Sequence, residues 1–301
     1  MTRSLFLLLF IGMWTGIASA QVGDPSKLLA PLLPGVRVYK DLSYVPNGHE
    51  RQMLDLYVPE NPDGPLPLIV WIHGGGWRYG SKEGCPSLPW ARKGYVVASI
   101  DYRLSQDACF PAQIKDCKAA IRWLRTHAAE YKIDPDRVAA WGVSAGGHLA
   151  SLLGTAGDEA GWEQGHPVGS SRVQGVIDWF GRADLTRVCT DPALADSPSA
   201  LLLGGSGPGV GELARKASPI MHVSENDPPF LIMHGDKDGL VPLDQSRAFA
   251  EALKAAGVKV NLVVLKGAGH GGGEFLQPEQ VKVIDAFLNE NLGRRKTAES
   301  R

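Results

Sequence analysis

Six short runs in this chain are predominantly apolar: residues 66–73, 95–100, 138–141, 176–180, 229–234 and 258–265. A strand wetted on one side alternates apolar with polar positions, so these runs predict strands buried on both faces. Two earlier segments, Val36-Arg37-Val38-Tyr39 and Gln52-Met53-Leu54-Asp55-Leu56-Tyr57-Val58, do alternate. Pro46-Asn47-Gly48 between them supplies turn chemistry, which predicts an antiparallel strand pair. After Pro111 the apolar residues Ile114, Cys117, Ile121, Leu124 and Ala128 recur at helical spacing, and 243–256 and 278–292 show similar faces. Two strands followed by six that alternate with helices predict an α/β fold, a mostly parallel eight-stranded sheet with helices on both faces.

The ends of the chain read differently. Arg3 is followed by an apolar stretch at 5–13 and by Ala18-Ser19-Ala20, the pattern of a signal peptide cleaved near Ala20. That predicts a secreted or periplasmic protein. The apolar stretch is too short to span a bilayer and no later one is longer, so no stable membrane insertion is expected. Residues 21–301 then suit one large α/β domain, without internal repeats or a linker. The segment 182–228, rich in Gly, Pro, Ser and Asp, is long for an irregular connection and predicts an excursion near the site.

Charge adds an exclusion. The chain carries 31 basic and 32 acidic residues, interspersed, and offers no basic stripe for nucleic acid. Its one dense basic cluster, Arg294-Arg295-Lys296, sits in the C-terminal tail. Cys85, Cys109, Cys117 and Cys189 lack metal-ligand spacing, and in an exported chain they predict one or two disulfides. Four cysteines allow three complete pairings, and Cys117, on an apolar helix face, reads equally well as a free buried thiol.

Candidate chemistry gathers where the apolar runs end. Gly142-Val143-Ser144-Ala145-Gly146 follows one run and opens a small-residue helix, the context of a nucleophile elbow. His73-Gly74-Gly75-Gly76-Trp77 follows another, where consecutive glycines let backbone amides approach a tetrahedral intermediate. Gly75, Gly76 and Ala145 are the candidate oxyanion-hole donors. A serine hydroxyl needs an imidazole as base, and the imidazole needs a carboxylate to fix its tautomer. His234-Gly235-Asp236-Lys237-Asp238 and Gly267-Ala268-Gly269-His270 follow the last two runs, in the order Ser, Asp, His. Of the eight histidines, His270 is the candidate base. His73 and His234 read as loop-bonding residues, and His148 as a packed, satisfied one. Gly267-Ala268-Gly269-His270-Gly271-Gly272 also fits a dinucleotide fingerprint, but only one helix remains after it and the required further strand is missing. No H-E-x-x-H or P-loop pattern occurs, and the chemistry calls for no cofactor and no metal.

These motifs, with Asp101-Tyr102-Arg103-Leu104, make residues 35–292 resemble the α/β-hydrolase superfamily. The similarity is to secreted esterases of the hormone-sensitive-lipase-like and feruloyl/acetyl-xylan-esterase-like group. The resemblance implies the α/β-hydrolase fold and a catalytic set of Ser144, Asp238 and His270. Asp238 follows as the fifth residue of the family's H-G-x-x-D-x-x-V-P pattern, with Asp236 and Asp184 as the alternative acids. It further implies a serine carboxylesterase working through an acyl-enzyme on short-chain or aromatic acyl esters. Only 52 residues separate position 20 from His73, too few for an N-terminal helical cap as well as the strand pair. An open site follows, suited to a small-molecule or polysaccharide-linked ester. Trp77, Tyr102 and Trp179 are candidates to line it. The alternatives are a prolyl-oligopeptidase-like peptidase, which shares the acid pattern, and a catalytically inactive hydrolase fold used for adhesion.

Overall fold

The computed structural model describes residues 33–157, 162 and 169–293. The expected signal peptide at 1–20, the basic cluster at 294–296 and His166 lie outside them. Among the described residues no helix is long and apolar enough to cross a membrane.

Eight strands form one sheet: β1 (Val36–Ser43), β2 (Met53–Pro59), β3 (Leu66–Ile72), β4 (Val96–Ile100), β5 (Ile133–Val143), β6 (Gly175–Trp179), β7 (Phe230–Gly235) and β8 (Val260–Leu265), in the spatial order β1-β2-β4-β3-β5-β6-β7-β8. The alternating segments pair antiparallel, as β1 with β2 and β2 with β4, and every later pairing is parallel. The parallel strands must be joined by crossovers; helices supply those after β4, a 3₁₀ turn lies in the one from β3 to β4, and a last helix follows β8. The helices are α1 (Ala112–Thr126), α2 (Ala145–Thr155), α3 (Pro198–Leu203), α4 (Gly211–Lys216), α5 (Leu243–Ala255) and α6 (Pro278–Leu292).

Two cores explain the apolar runs of the inner strands, whereas the last run forms the edge strand β8 and is only partly buried. Leu68, Val70 and Ile72 of β3 join one cluster with Ile114, Leu149 and Phe249 of α1, α2 and α5, while Ile69 and Trp71 join a second with Ile284 and Leu288 of α6. Successive residues of one strand point to opposite faces, so both parities must be apolar when both faces are covered. The second core contains Trp71, Trp90, Trp141 and Trp179, packed edge to face at 4.9–6.3 Å. Trp179 is therefore interior and not a lining residue, because its place in β6 aims it into that cluster. Tyr102 is interior too; its ring stacks on His73 at 4.3 Å and its hydroxyl donates to the His73 carbonyl at 2.9 Å.

Two further expectations are corrected. The segment 182–228 is not irregular, for it winds through α3, α4 and several single 3₁₀ turns. Four of its prolines sit at first-turn positions of these, which is why helix content escaped a reading by composition. All four cysteines are free, with Cys85 and Cys117 buried, so the expected disulfides are absent. Cys117 lies inside the first core, where burial pushes its thiol pKa well up.

Candidate active site

Because β3 and β5 to β8 run parallel, their C-terminal ends share one edge of the sheet, and residues just beyond those ends converge there. Ser144 follows β5, Asp238 follows β7, His270 follows β8, and the glycine loop follows β3.

The elbow at Ser144 is forced by contact. The backbone folds so tightly that a Cβ on Gly142 would stand 2.0 Å from the Gly146 carbonyl oxygen, and one on Gly146 2.0 Å from that of Ile72. Only glycine fits at either place. Ser144 itself is held at φ 55°, ψ −117°, a conformation that costs on the order of 1–3 kcal/mol and survives because its surroundings over-determine it. Its N–H donates to Trp179 O at 2.8 Å, and beneath it Asp178 ties β6 to α2. Asp178 accepts from Gly181 N at 2.9 Å and from the Ser151 hydroxyl at 3.1 Å, while burial pushes its pKa up to about 6.

The Ser144 hydroxyl lies 2.8 Å from His270 Nε2, and His270 Nδ1 lies 2.7 Å from Asp238 Oδ2. The other oxygen of Asp238 accepts the N–H groups of Leu240 at 2.8 Å and Val241 at 2.9 Å. Burial raises the Asp238 pKa, but the Val241 N–H, the His270 bond and the Leu240 N–H outweigh it, and the carboxyl is held below its ordinary value. A permanently ionised acid fixes the proton of His270 on Nδ1, which leaves Nε2 free to accept from Ser144. Asp236 accepts from Gly267 N at 2.6 Å, and Asp184 accepts from its own turn at Thr186. Neither alternative acid is paired with His270.

The remaining histidines near this edge are spoken for. His234 Nε2 donates to Val241 O at 2.9 Å and Nδ1 accepts from Ser246 at 2.7 Å, with burial lowering its pKa. His148 accepts from Trp77 Nε1 at 3.2 Å and donates to Ala217 O at 2.7 Å, and burial takes its pKa down to about 4. It is a neutral strut between the glycine loop, α2 and the 182–228 segment.

The glycine loop turns through positive φ at Gly75 and Gly76, at 107° and 60°, beside Ala145. No hydrogen bond within the described residues takes up the N–H groups of these three. Beyond the loop, Arg51 bridges Gly80 O at 2.8 Å and Asp101 at 3.2 Å, and Arg103 forks onto Asp116. Gly76→Val would need a β-branched residue at φ 60° with its Cβ 3.2 Å from Pro198. Displacing an oxyanion-hole donor costs about 10²–10³ in kcat, so with Gly76 as the candidate donor that variant is expected to lose at least this much on aryl acetates. Melting temperatures measured alongside separate the effect from unfolding.

Ser144 and His270 open into a cavity of about 560 Å³. Trp77 lines it, together with Tyr79, Phe180, Pro198 and Arg182. The residue that packs on His270 is Phe180, at 4.5 Å between ring centroids, one position beyond Trp179. Tyr79, 61% exposed, also borders a neighbouring groove of about 360 Å³ with Arg78, Ser105, Gln106 and Leu201. Among the described residues no group of three or more His, Cys, Asp or Glu side chains is placed to hold a metal ion.

A doubly covered parallel sheet with an elbow serine and a histidine–acid pair at its C-terminal edge defines an α/β-hydrolase. The BD-FAE family model matches residues 54–253, and the chain belongs to that family. It is 35% identical over 241 residues to the esterase LipC of Mycobacterium tuberculosis, covering 73% of this chain. It spans only 57% of LipC's length. Among solved structures, a truncated carbohydrate esterase from gut microbiota is 30% identical with a TM-score of 0.79, covering 86% of this chain and 97% of that one. The esterase Est2 of Thermogutta terrifontis is 31% identical with a TM-score of 0.70, covering 89% and 96%.

Proposed function

We propose that the protein is an exported serine carboxylesterase that acts through an acyl-enzyme on short-chain or aromatic acyl esters, with carbohydrate-linked acetyl or feruloyl groups as its substrate class. The observation that carries this is the hydrogen-bonded series Ser144–His270–Asp238 at the mouth of the 560 Å³ cavity. His270 takes the Ser144 proton as the hydroxyl oxygen attacks the ester carbonyl, and the oxyanion is received by the N–H groups of Gly75, Gly76 and Ala145. Collapse expels the alcohol, which His270 protonates. A water activated by the same imidazole then releases the acid and regenerates Ser144.

Support for a carbohydrate alcohol is the open groove past Tyr79, an exposed aromatic face at the cavity rim. The carbohydrate esterase similar to this chain points the same way, and Est2 has been solved with propionate and with butyrate bound, which favours short acyl groups. Export is read from residues 1–20. Aryl esters of two to twelve acyl carbons, assayed beside acetylated xylan and methyl ferulate, test the reading. Expected is the highest kcat/KM between acetate and butyrate, a fall of about tenfold or more by the octanoate, and acetate or ferulate release from the natural-type substrates. A preference for long chains, or turnover of prolyl peptides and not of esters, would overturn it.

A further inference from the structure

Arg182 is a permanent cation in the wall of the substrate cavity. Its Nη2 donates to Leu240 O at 2.9 Å, beside the loop that carries Asp238. Among the described residues no carboxylate pairs with it at ion-pair distance. The walls around it are apolar, built from Trp77, Val143, Phe180, Pro198 and Val241, and contain no acidic side chain. It also borders a smaller adjoining cavity of about 160 Å³, shared with Arg187, Gln245 and Asp184. There Asp184 is engaged by Thr186, and Arg187 by Asp191 at 3.0 Å.

A guanidinium presents five N–H donors in a fixed fork, and one carbonyl satisfies a small part of that capacity. Drawing such a group toward an apolar wall without a counterion is costly. Burial, with the like charge of Arg187, holds the Arg182 pKa below its ordinary value against the upward pull of Asp238. An anion arriving with the substrate would complete the group in a charge-assisted, bidentate bond.

We propose that Arg182 is a specificity-determining residue that recognises a carboxylate on the substrate, so that esters bearing one on the acyl or the alcohol part are preferred. The proposal rests on the ester-hydrolase reading above and names the substrate class of the same site. The ester bond is cleaved as already described; Arg182 binds the free carboxylate and takes no part in the bond changes.

Two matched pairs test it on the full chain. On the alcohol side, 4-acetoxybenzoate is compared with its methyl ester. On the acyl side, the 4-nitrophenyl hemiester of adipic acid is compared with 4-nitrophenyl hexanoate. The reported quantity is the ratio of kcat/KM for the charged over the neutral ester, which cancels leaving-group differences when variants are compared with wild type. Arg182→Gln is expected to lower that ratio about tenfold or more in at least one pair, chiefly through KM, and Arg182→Lys to restore part of it. The pair that responds locates the carboxylate on the acyl or the alcohol side. A ratio unchanged in both pairs, with charged and neutral esters falling together, would overturn the proposal and make Arg182 a support of the acid loop.

Calorimetric titration of both charged esters into Ser144→Ala and into Ser144→Ala/Arg182→Gln reads the same interaction without turnover. Affinity about tenfold weaker in the double variant for at least one ester supports the anion site, and equal affinity for both overturns it. If wild type turns over none of the four esters while that affinity difference stands, the hydrolase reading fails and the anion site does not.

Discussion

Ser144→Ala is expected to lower kcat on aryl acetates by about 10⁶ while leaving the fold intact. Loss of the nucleophile in a serine hydrolase removes the covalent route altogether, and the residual rate comes only from the oxyanion donors and binding. The fold should tolerate the change because the Ser144 hydroxyl faces the cavity and its side-chain bond is to His270 alone. Alanine also keeps the Cβ already accommodated at φ 55°, so the elbow gains no new strain. Steady-state kinetics and a thermal melt on the same preparation check both halves. Activity within tenfold of wild type would contradict the nucleophile assignment.

Asp238→Asn is expected to cost about 10⁴ in kcat, with Asp236→Asn and Asp184→Asn costing far less. The asymmetry follows from the bonds each acid makes. One oxygen of Asp238 accepts two backbone N–H groups, so the asparagine must keep its oxygen there and turn its amide nitrogen toward His270. Two donors would then face each other. Relief comes by moving the imidazole proton to Nε2, the tautomer that cannot accept from Ser144. Crowding is worse because His234 Nε2 also lies 3.1 Å from that position. Asp236 and Asp184 each use one oxygen to accept from a nearby turn, a task an asparagine oxygen can still perform. Near-normal turnover in Asp238→Asn, with a large loss in Asp184→Asn, would move the acid to the end of β6.

The strands were legible because a sheet covered on both faces needs apolar residues of both parities, and β3, β4, β6 and β7 satisfy that nearly without exception. β5 was underestimated: its first half, with Asp134, Pro135, Asp136 and Arg137, reads as loop and yet extends the strand back to Ile133. Ser144, Asp238 and His270 could be read because each follows an apolar run, and parallel strands bring such ends together. What the sequence could not show was orientation. Trp179 and Tyr102 have the chemistry of lining residues, yet the packing of β6 and the stacking on His73 turn both inward. Arg182 was missed for the opposite reason, since an arginine within a polar excursion resembles any solvated charge until the cavity is seen around it.

The nucleophile can be identified in a single measurement. The wild-type protein is treated with a fluorophosphonate ester and its peptides are mapped by mass spectrometry. One adduct per chain is expected, on the peptide that contains Ser144, prevented by excess aryl acetate and absent from Ser144→Ala. An adduct on another residue, or full ester turnover by protein whose Ser144 stays unmodified, would contradict a nucleophilic Ser144 served by His270 and Asp238.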